Sequence, residues 1–424
     1  MRLVRAAGWI AGLTVIAGSA AVPAVAAPAA HTVRVDVSTG GAVANANLDF
    51  DAVAISANGR FVAFSSNATN LVAGDTNGTR DVFVRNVRSG MTTRVSVGAA
   101  NVQGNGDSFG PLAISGDGRF VAFEGDSSNF VSNSGCTPGN GGDCLYIRDR
   151  KNGTIREVKR EQNPQFMALS DHGRYLVTAS TVGQVVRIDL HTGKVVRVSC
   201  CNLGGDLQNL SFGGMSANAN LVTFGVNAGA SGGDPAELQV YVRNIARKRT
   251  TMISRSPAGV PGNGPSFARG ISPGGRFVIY SSDATDLVPG DTNGREDVFV
   301  RDRLRGTTHR VDIGPGGVQA NADAQAVGIS TGGRFRVFVS GATNLVAGDT
   351  NHAADVFVRD RNTGRTVRVD LTNAGGQANH GLGFEGGVAM TPGARWIVFG
   401  SRSTNLVATN PNAFLHAYLR GPLF

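Results

Sequence analysis

Residues 271–313 read ISPGGRFVIYSSDATDLVPGDTNGREDVFVRDRLRGTTHRVDI. A short apolar opening ends at Ile271, and Gly274-Gly275 supplies the positive φ angles that a two-residue hairpin needs. An apolar run follows at 276–281, then a long polar loop. A second apolar run spans 297–301, and Arg305-Gly306 turns the chain into an alternating run at 307–313. Short β-rich runs bounded by Gly, Asn and Asp read as strands, so this stretch predicts one four-stranded antiparallel unit.

The unit recurs along the chain. Its opening appears at Ile55, Ile114, Leu169, Met215, Ile271, Ile329 and Met390. Most copies turn through Asn58-Gly59, Asp117-Gly118, His172-Gly173, Gly274-Gly275 or Gly332-Gly333; the fourth and seventh use the weaker Asn218-Ala219-Asn220 and Gly393-Ala394. Several third strands, such as DVFVRD at 297–302 and 355–360, are apolar on both faces. A strand of that kind needs cover on both sides, as when one blade packs between two others. The seventh unit lacks a fourth strand, because the sequence stops at Phe424. A matching segment, HTVRVDVST at 31–39, precedes the first opening and resembles RTVRVDL at 365–371. The prediction is an all-β, seven-bladed β-propeller spanning 31–424 as a single domain, its last blade closed by the N-terminal strand. The competing architectures are a six-bladed ring and an open β-solenoid, and the displaced strand argues against the solenoid.

The recurring S-x-x-G-R-[FYW]-x-x-F core resembles the TolB-type, WD40-like (PD40) propeller repeat. The extension LVxGDTNGxxDVFVRD, seen at 287–302 and nearly so at 71–86 and 345–360, looks like a secreted bacterial subset of that group. The resemblance covers nearly the whole chain after residue 30. It implies a scaffold or binding platform and no particular activity, since such propellers also accompany separate catalytic domains; no second domain is read in this chain.

Residues 1–30 read as a signal peptide and leader. Arg2 and Arg5 form a basic start, an apolar run follows from Trp9 to Val22, and Ala24-Val25-Ala26 offers small residues for cleavage. The expectation is an exported protein of the cell envelope or exterior, a monomer with no membrane span. Cleavage lowers the formal charge of +9 by two. Many of the remaining arginines recur at one strand position, and no lysine-rich run with interleaved aromatics suggests nucleic-acid binding. Export permits disulfides. Cys136 and Cys144 bracket a Gly/Pro/Asn loop and most simply staple it, whereas Cys200 and Cys201 are open to a vicinal bridge, another pairing or the reduced state.

In such a meander the tight turns gather on one face and the long loops on the other, and elaborated loops on a rigid scaffold are where binding usually sits. Three of these loops share the spacing Asp-x-Asn-x-x-x-Asp: Asp75, Asn77 and Asp81; Asp291, Asn293 and Asp297; Asp349, Asn351 and Asp355. Carboxylates and amide carbonyls at such intervals are calcium's ligand types, so weak Ca2+ sites are one expectation. The plain alternative is an Asn-Gly turn whose last Asp pairs with an arginine. Linker residues Asn47, Asn105, Asn263, Asn321 and Asn379 read as turn shapers. Arg85, Arg148, Arg243, Arg301 and Arg359 end the third strands, and inter-blade bonding is favoured over an anion-binding ring.

No catalytic signature stands out. Gly106-Asp107-Ser108-Phe109-Gly110 matches the G-x-S-x-G elbow, but its Ser-Phe recurs at 211–212 and 266–267, so it belongs to the repeat. The expected function is a non-enzymatic platform binding a protein or cell-envelope glycan through the long-loop face, with no certain cofactor. The alternative is an exported polysaccharide lyase or hydrolase using loop-face carboxylates such as Asp107 and Asp323.

Overall fold

Side chains that alternate along each run lock the strands into register, because a one-residue slip would turn every apolar side chain to the wrong face. The computed structural model describes residues 30–424, apart from 133, 137–143, 163–165, 181–183, 200–210, 228–237, 383–386, 409–411 and 413. It contains seven four-stranded antiparallel sheets, and among the described residues there is no α-helix. Each sheet is one blade, numbered here from one to seven along the chain. The first strands pack side by side around a closed ring and line its centre. The fourth strands form the rim.

Second and third strands are the most enclosed elements: Phe277–Ser282, Phe335–Ser340, Cys144–Asp149 and Asp297–Asp302 are buried throughout. The core is accordingly a set of seams between blades. Phe277, Ile279, Val298 and Val300 of blade five meet Ala326, Phe338 and Phe357 of blade six, for example.

The last sheet joins the two ends of the chain. Strand His31–Arg34 pairs antiparallel with His416–Gly421, in the register Thr32 to Arg420 and Arg34 to Tyr418. Beyond the strand, Asp36 and His416 meet at 2.5 Å, both fully enclosed. The expected closure therefore holds, although the regular strand is shorter than 31–39. The tight turns behave as their residues require. Gly59 has φ 69°, and a Cβ there would come within 2.8 Å of the Trp396 ring of the preceding blade. The weaker turns carry alanine in the same left-handed region, at Ala219 and Ala394.

The third-strand arginines are structural. Arg359 donates to the Ile313 carbonyl at 2.7 Å, where blade five ends, and to Thr366 Oγ1 at 3.0 Å in its own blade. Arg148 reaches the Val97 carbonyl at 2.9 Å in the same way. The Asp that follows is held by the arginine opening the second strand: Arg276 grips Asp302 with two bonds of 3.0 and 2.7 Å, and Arg334 grips Asp360 likewise. These bonds hold Asp302 and Asp360 down to about 2. Cys136 and Cys144 form the expected disulfide, with Cα atoms 5.9 Å apart. The leader and the Cys200–Cys201 pair lie outside the described residues.

Candidate functional site

The linker asparagines turn out to be struts. Asn321 Nδ2 donates to Thr343 Oγ1 at 3.0 Å, and its Oδ1 accepts from the Thr343 amide at 3.0 Å. Asn344 answers by donating to the Gln319 carbonyl at 2.8 Å. Asn105, Asn263 and Asn379 repeat the clamp in their own blades. In blade one the position belongs to Asn45, two residues before the expected Asn47. Asn47 instead accepts from the Leu415 amide at 2.8 Å, across the closing seam. The long-loop face is therefore held in shape before any ligand arrives.

The three Asp-x-Asn-x-x-x-Asp loops each converge on one cation, and that cation is an arginine of the blade's own fourth strand. Asp75 and Asp81 hold Arg94 at 3.0 and 2.9 Å. Asp349 and Asp355 both hold Arg368 at 3.1 Å. Asp291 holds Arg310 at 3.1 Å, and Arg310 also bonds Asp297 and Gln319. The asparagines orient the second acid: Asn293 Nδ2 donates to Asp297 at 2.9 Å and Asn351 to Asp355 at 3.0 Å, while Asn77 sits 3.4 Å from Asp81. Burial and then the second carboxylate push Asp75 and Asp349 upward, with the arginine pulling the other way. Asp81, Asp297 and Asp355 open the third strands of their blades, and each acid pair bonds an arginine of the fourth strand. Cys136, Cys144 and Glu157 also come within ligand reach of one another, but both sulfurs are used in the disulfide.

A different group lines the long-loop end of the channel. Strands enter the ring from the long-loop face, so the start of each first strand lies at that mouth. Four consecutive blades place a half-buried phenylalanine there: Phe109, Phe166, Phe212 and Phe267. Phe166 and Phe212 stack with centroids 4.1 Å apart. Charged groups flank the arc at both ends. On one side Arg80 lies over Phe109, bonds Asp49 at 3.2 Å, and donates from its backbone amide to Asp107 Oδ1 at 2.9 Å. On the other, Arg269 lies over Phe267, and Gln325 stands 3.5 Å from Glu296 Oε2. Glu296 is half-buried beside Gln325 and Ser281, and its Oε1 makes no close hydrogen bond. Its carboxyl is raised above the usual range by burial, a shift that Arg269 opposes and Asp283 reinforces. Asp283 is raised as well, by burial and by Asp323.

The sequence singled out Asp107 and Asp323 near this mouth, and the Ser-Phe repeat contains Phe109, Phe212 and Phe267. Glu296 and Arg80 escaped notice. Each is the residue just before a third strand, and its backbone carbonyl accepts from the next blade's first strand, Arg80 from Ser108 and Glu296 from Ala324, both at 2.8 Å. That bond across the seam draws both residues toward the centre.

No family model matches this chain, and no curated protein does. Solved structures do match. One is "The beta-propeller domain of the Trilobed protease from Pyrococcus furiosus reveals an open velcro topology", at TM-score 0.53 and 10% identity, covering 84% of this chain and 90% of that one. Another is "Oligogalacturonate lyase in complex with manganese", at TM-score 0.54 and 12% identity, covering 92% and 93%. This chain has the β-propeller fold. At such identities the likeness extends to the fold alone, and the ring here, unlike an open velcro, is zipped shut by strand His31–Arg34.

Proposed function

We propose that this chain is an exported, TolB-like binding propeller that takes a cell-envelope glycan or a protein segment at the long-loop mouth of its channel. The observation that carries the reading is the arc of Phe109, Phe166, Phe212 and Phe267, set between Arg80–Asp49 and Arg269–Glu296. Aromatic faces beside a few fixed polar groups suit a sugar ring or an extended peptide, and the clamped loops lower the ordering cost of binding. The protein acts alone, as a monomer. Pull-down from envelope extracts tests the reading. The wild type should retain one macromolecular partner, and Phe267→Ala should release it; a wild type that retains nothing at several salt concentrations overturns the proposal.

A second reading rests on Glu296. A carboxyl whose proton affinity is raised by burial, beside a cleft that a substrate could enter, is the kind of group a general acid draws on. In this reading the chain is a polysaccharide lyase or hydrolase. Screening against acidic and neutral polysaccharides should then give turnover that Glu296→Gln removes. No turnover on any of them leaves the binding reading alone.

A further inference from the structure

Blade six breaks a rule that the other blades keep. Two residues after the Arg or Asn that follows each tight turn, the side chain is aliphatic and fully buried: Val62, Val121, Leu176, Val222, Val278 and Ile397. In blade six it is Arg336, only 5% exposed. Its register partner across the sheet is Arg359, so two cations lie directly opposite each other, an arrangement that destabilises a strand pair. In blades one, two, four, five and seven the third-strand arginine faces a Val or an Ile at this place.

Among the described residues only the Asp360 charge offsets Arg336, and no side chain or carbonyl bonds its guanidinium. Its Nε is buried and makes no hydrogen bond among the described residues. Arg359 spends its guanidinium on Ile313 and Thr366. The acids at this end of the seam, Asp302 and Asp360, are each gripped by two bonds from Arg276 and Arg334. Two further cationic groups approach. Arg361 lies over the Phe277 ring, 5.7 Å from its centroid, and His309 on the rim strand of blade five faces the same seam. Both are exposed, so the seam is open to solvent on their side. Burial and then Arg361 and Arg359 hold the Arg336 guanidinium down to about 10, and burial, Arg336 and Arg361 hold His309 below its ordinary range.

A buried charge without a partner costs several kcal/mol, and the repeat shows that an aliphatic residue fills the place. We propose that the seam between blades five and six binds one small oxyanion, of the size and charge of phosphate or sulfate, on Arg336, with Arg361 and His309 closing over it. The fork of Arg336 suits two oxygens of a tetrahedral ion.

The test compares melting in phosphate, in sulfate and in chloride at matched ionic strength, for the wild type and Arg336→Val. This variant restores the side-chain type that the other blades carry, so it should fold and melt no lower than the wild type in chloride. The wild type should gain about 2 °C or more in millimolar phosphate or sulfate, and the variant should gain none. A second measurement needs no variant: His309, followed by NMR, should titrate at higher pH with phosphate present. Equal gains in both proteins, no gain in the wild type, or an unmoved His309 titration each overturn the proposal.

Discussion

Asp312 and Asp297 face each other in blade five with a single arginine between them and the loop. Asp312 accepts from the Val298 amide at 2.9 Å, and Arg310 bonds both acids. Blade six repeats the arrangement with Asp370, Asp355 and Arg368. Blade one solves the same problem with a hydroxyl: Ser96 accepts from the Val82 amide at 3.0 Å and donates to Asp81 at 2.6 Å. Where two acids meet, burial first and Asp312 second push Asp297 up to about 9, and burial with Asp355 pushes Asp370 up.

The sign of the pH dependence follows. A folded-state value raised above the ordinary 3.8 means that the folded protein holds the proton more tightly than the unfolded chain. The resulting stability is complete below about 4 and is lost as pH rises through about 9. Melting temperature should therefore fall between pH 5 and pH 9. Asp312→Ser, which copies blade one, should flatten that fall; an unchanged slope in differential scanning calorimetry counts against the shared proton.

The ring-closing contact is the next place to measure. Asp36 and His416 bond inside a fully enclosed seam, and Asp36 Oδ1 also accepts from the Ala417 amide at 3.2 Å. Asp36→Ala leaves two buried donors unanswered and should cost about 3 kcal/mol. Deleting residues 31–39 exposes the edge of His416–Gly421 and should lower the melting temperature by about 10 °C or more. A truncated protein that melts with the full one would show that blade seven does not depend on the strand.

Calcium is a matter of competition with arginine. An ion entering the loop of Asp75, Asn77 and Asp81 must displace Arg94. Arg94→Gln should therefore show a larger calcium-induced rise in melting temperature than the wild type, at millimolar calcium against chelator. Equal responses would show that the loop takes no calcium.

The seam arginines give a quieter prediction. Arg359→Lys keeps the charge but loses the fork that serves Ile313 and Thr366 together. Urea unfolding should show a loss of about 1–2 kcal/mol. A loss no greater than that of an exposed substitution such as Arg365→Lys would remove the inter-blade role.

Most of the fold was legible because a blade is a local object. Strand alternation, Gly turns such as Gly333 and the displaced HTVRVDVS each act over a few residues and then repeat. The mouth was less legible, for a physical reason. Glu296 and Arg80 owe their place to a bond with the next blade, and no short-range pattern records which residue a neighbour pulls inward. Phe166 follows Gln165 where Phe109, Phe212 and Phe267 follow serine, so the arc looked like three scattered copies. Arg336 was visible as RFRVF among RFVAF and RFVIY, but a single letter acquires weight only once its opposite number is known to be Arg359.

The register of the closing strand also fixes how the ring would yield to force. His31 pairs with Gly421 and Arg34 with Tyr418, so the outward end of one strand lies beside the outward end of the other. Tension between residues 31 and 421 would load their hydrogen bonds one after another, as a zip opens, instead of shearing them together. A propeller tethered at both ends would give way at blade seven first and at low force, with the other six blades still folded, and would close again when the pull ceased.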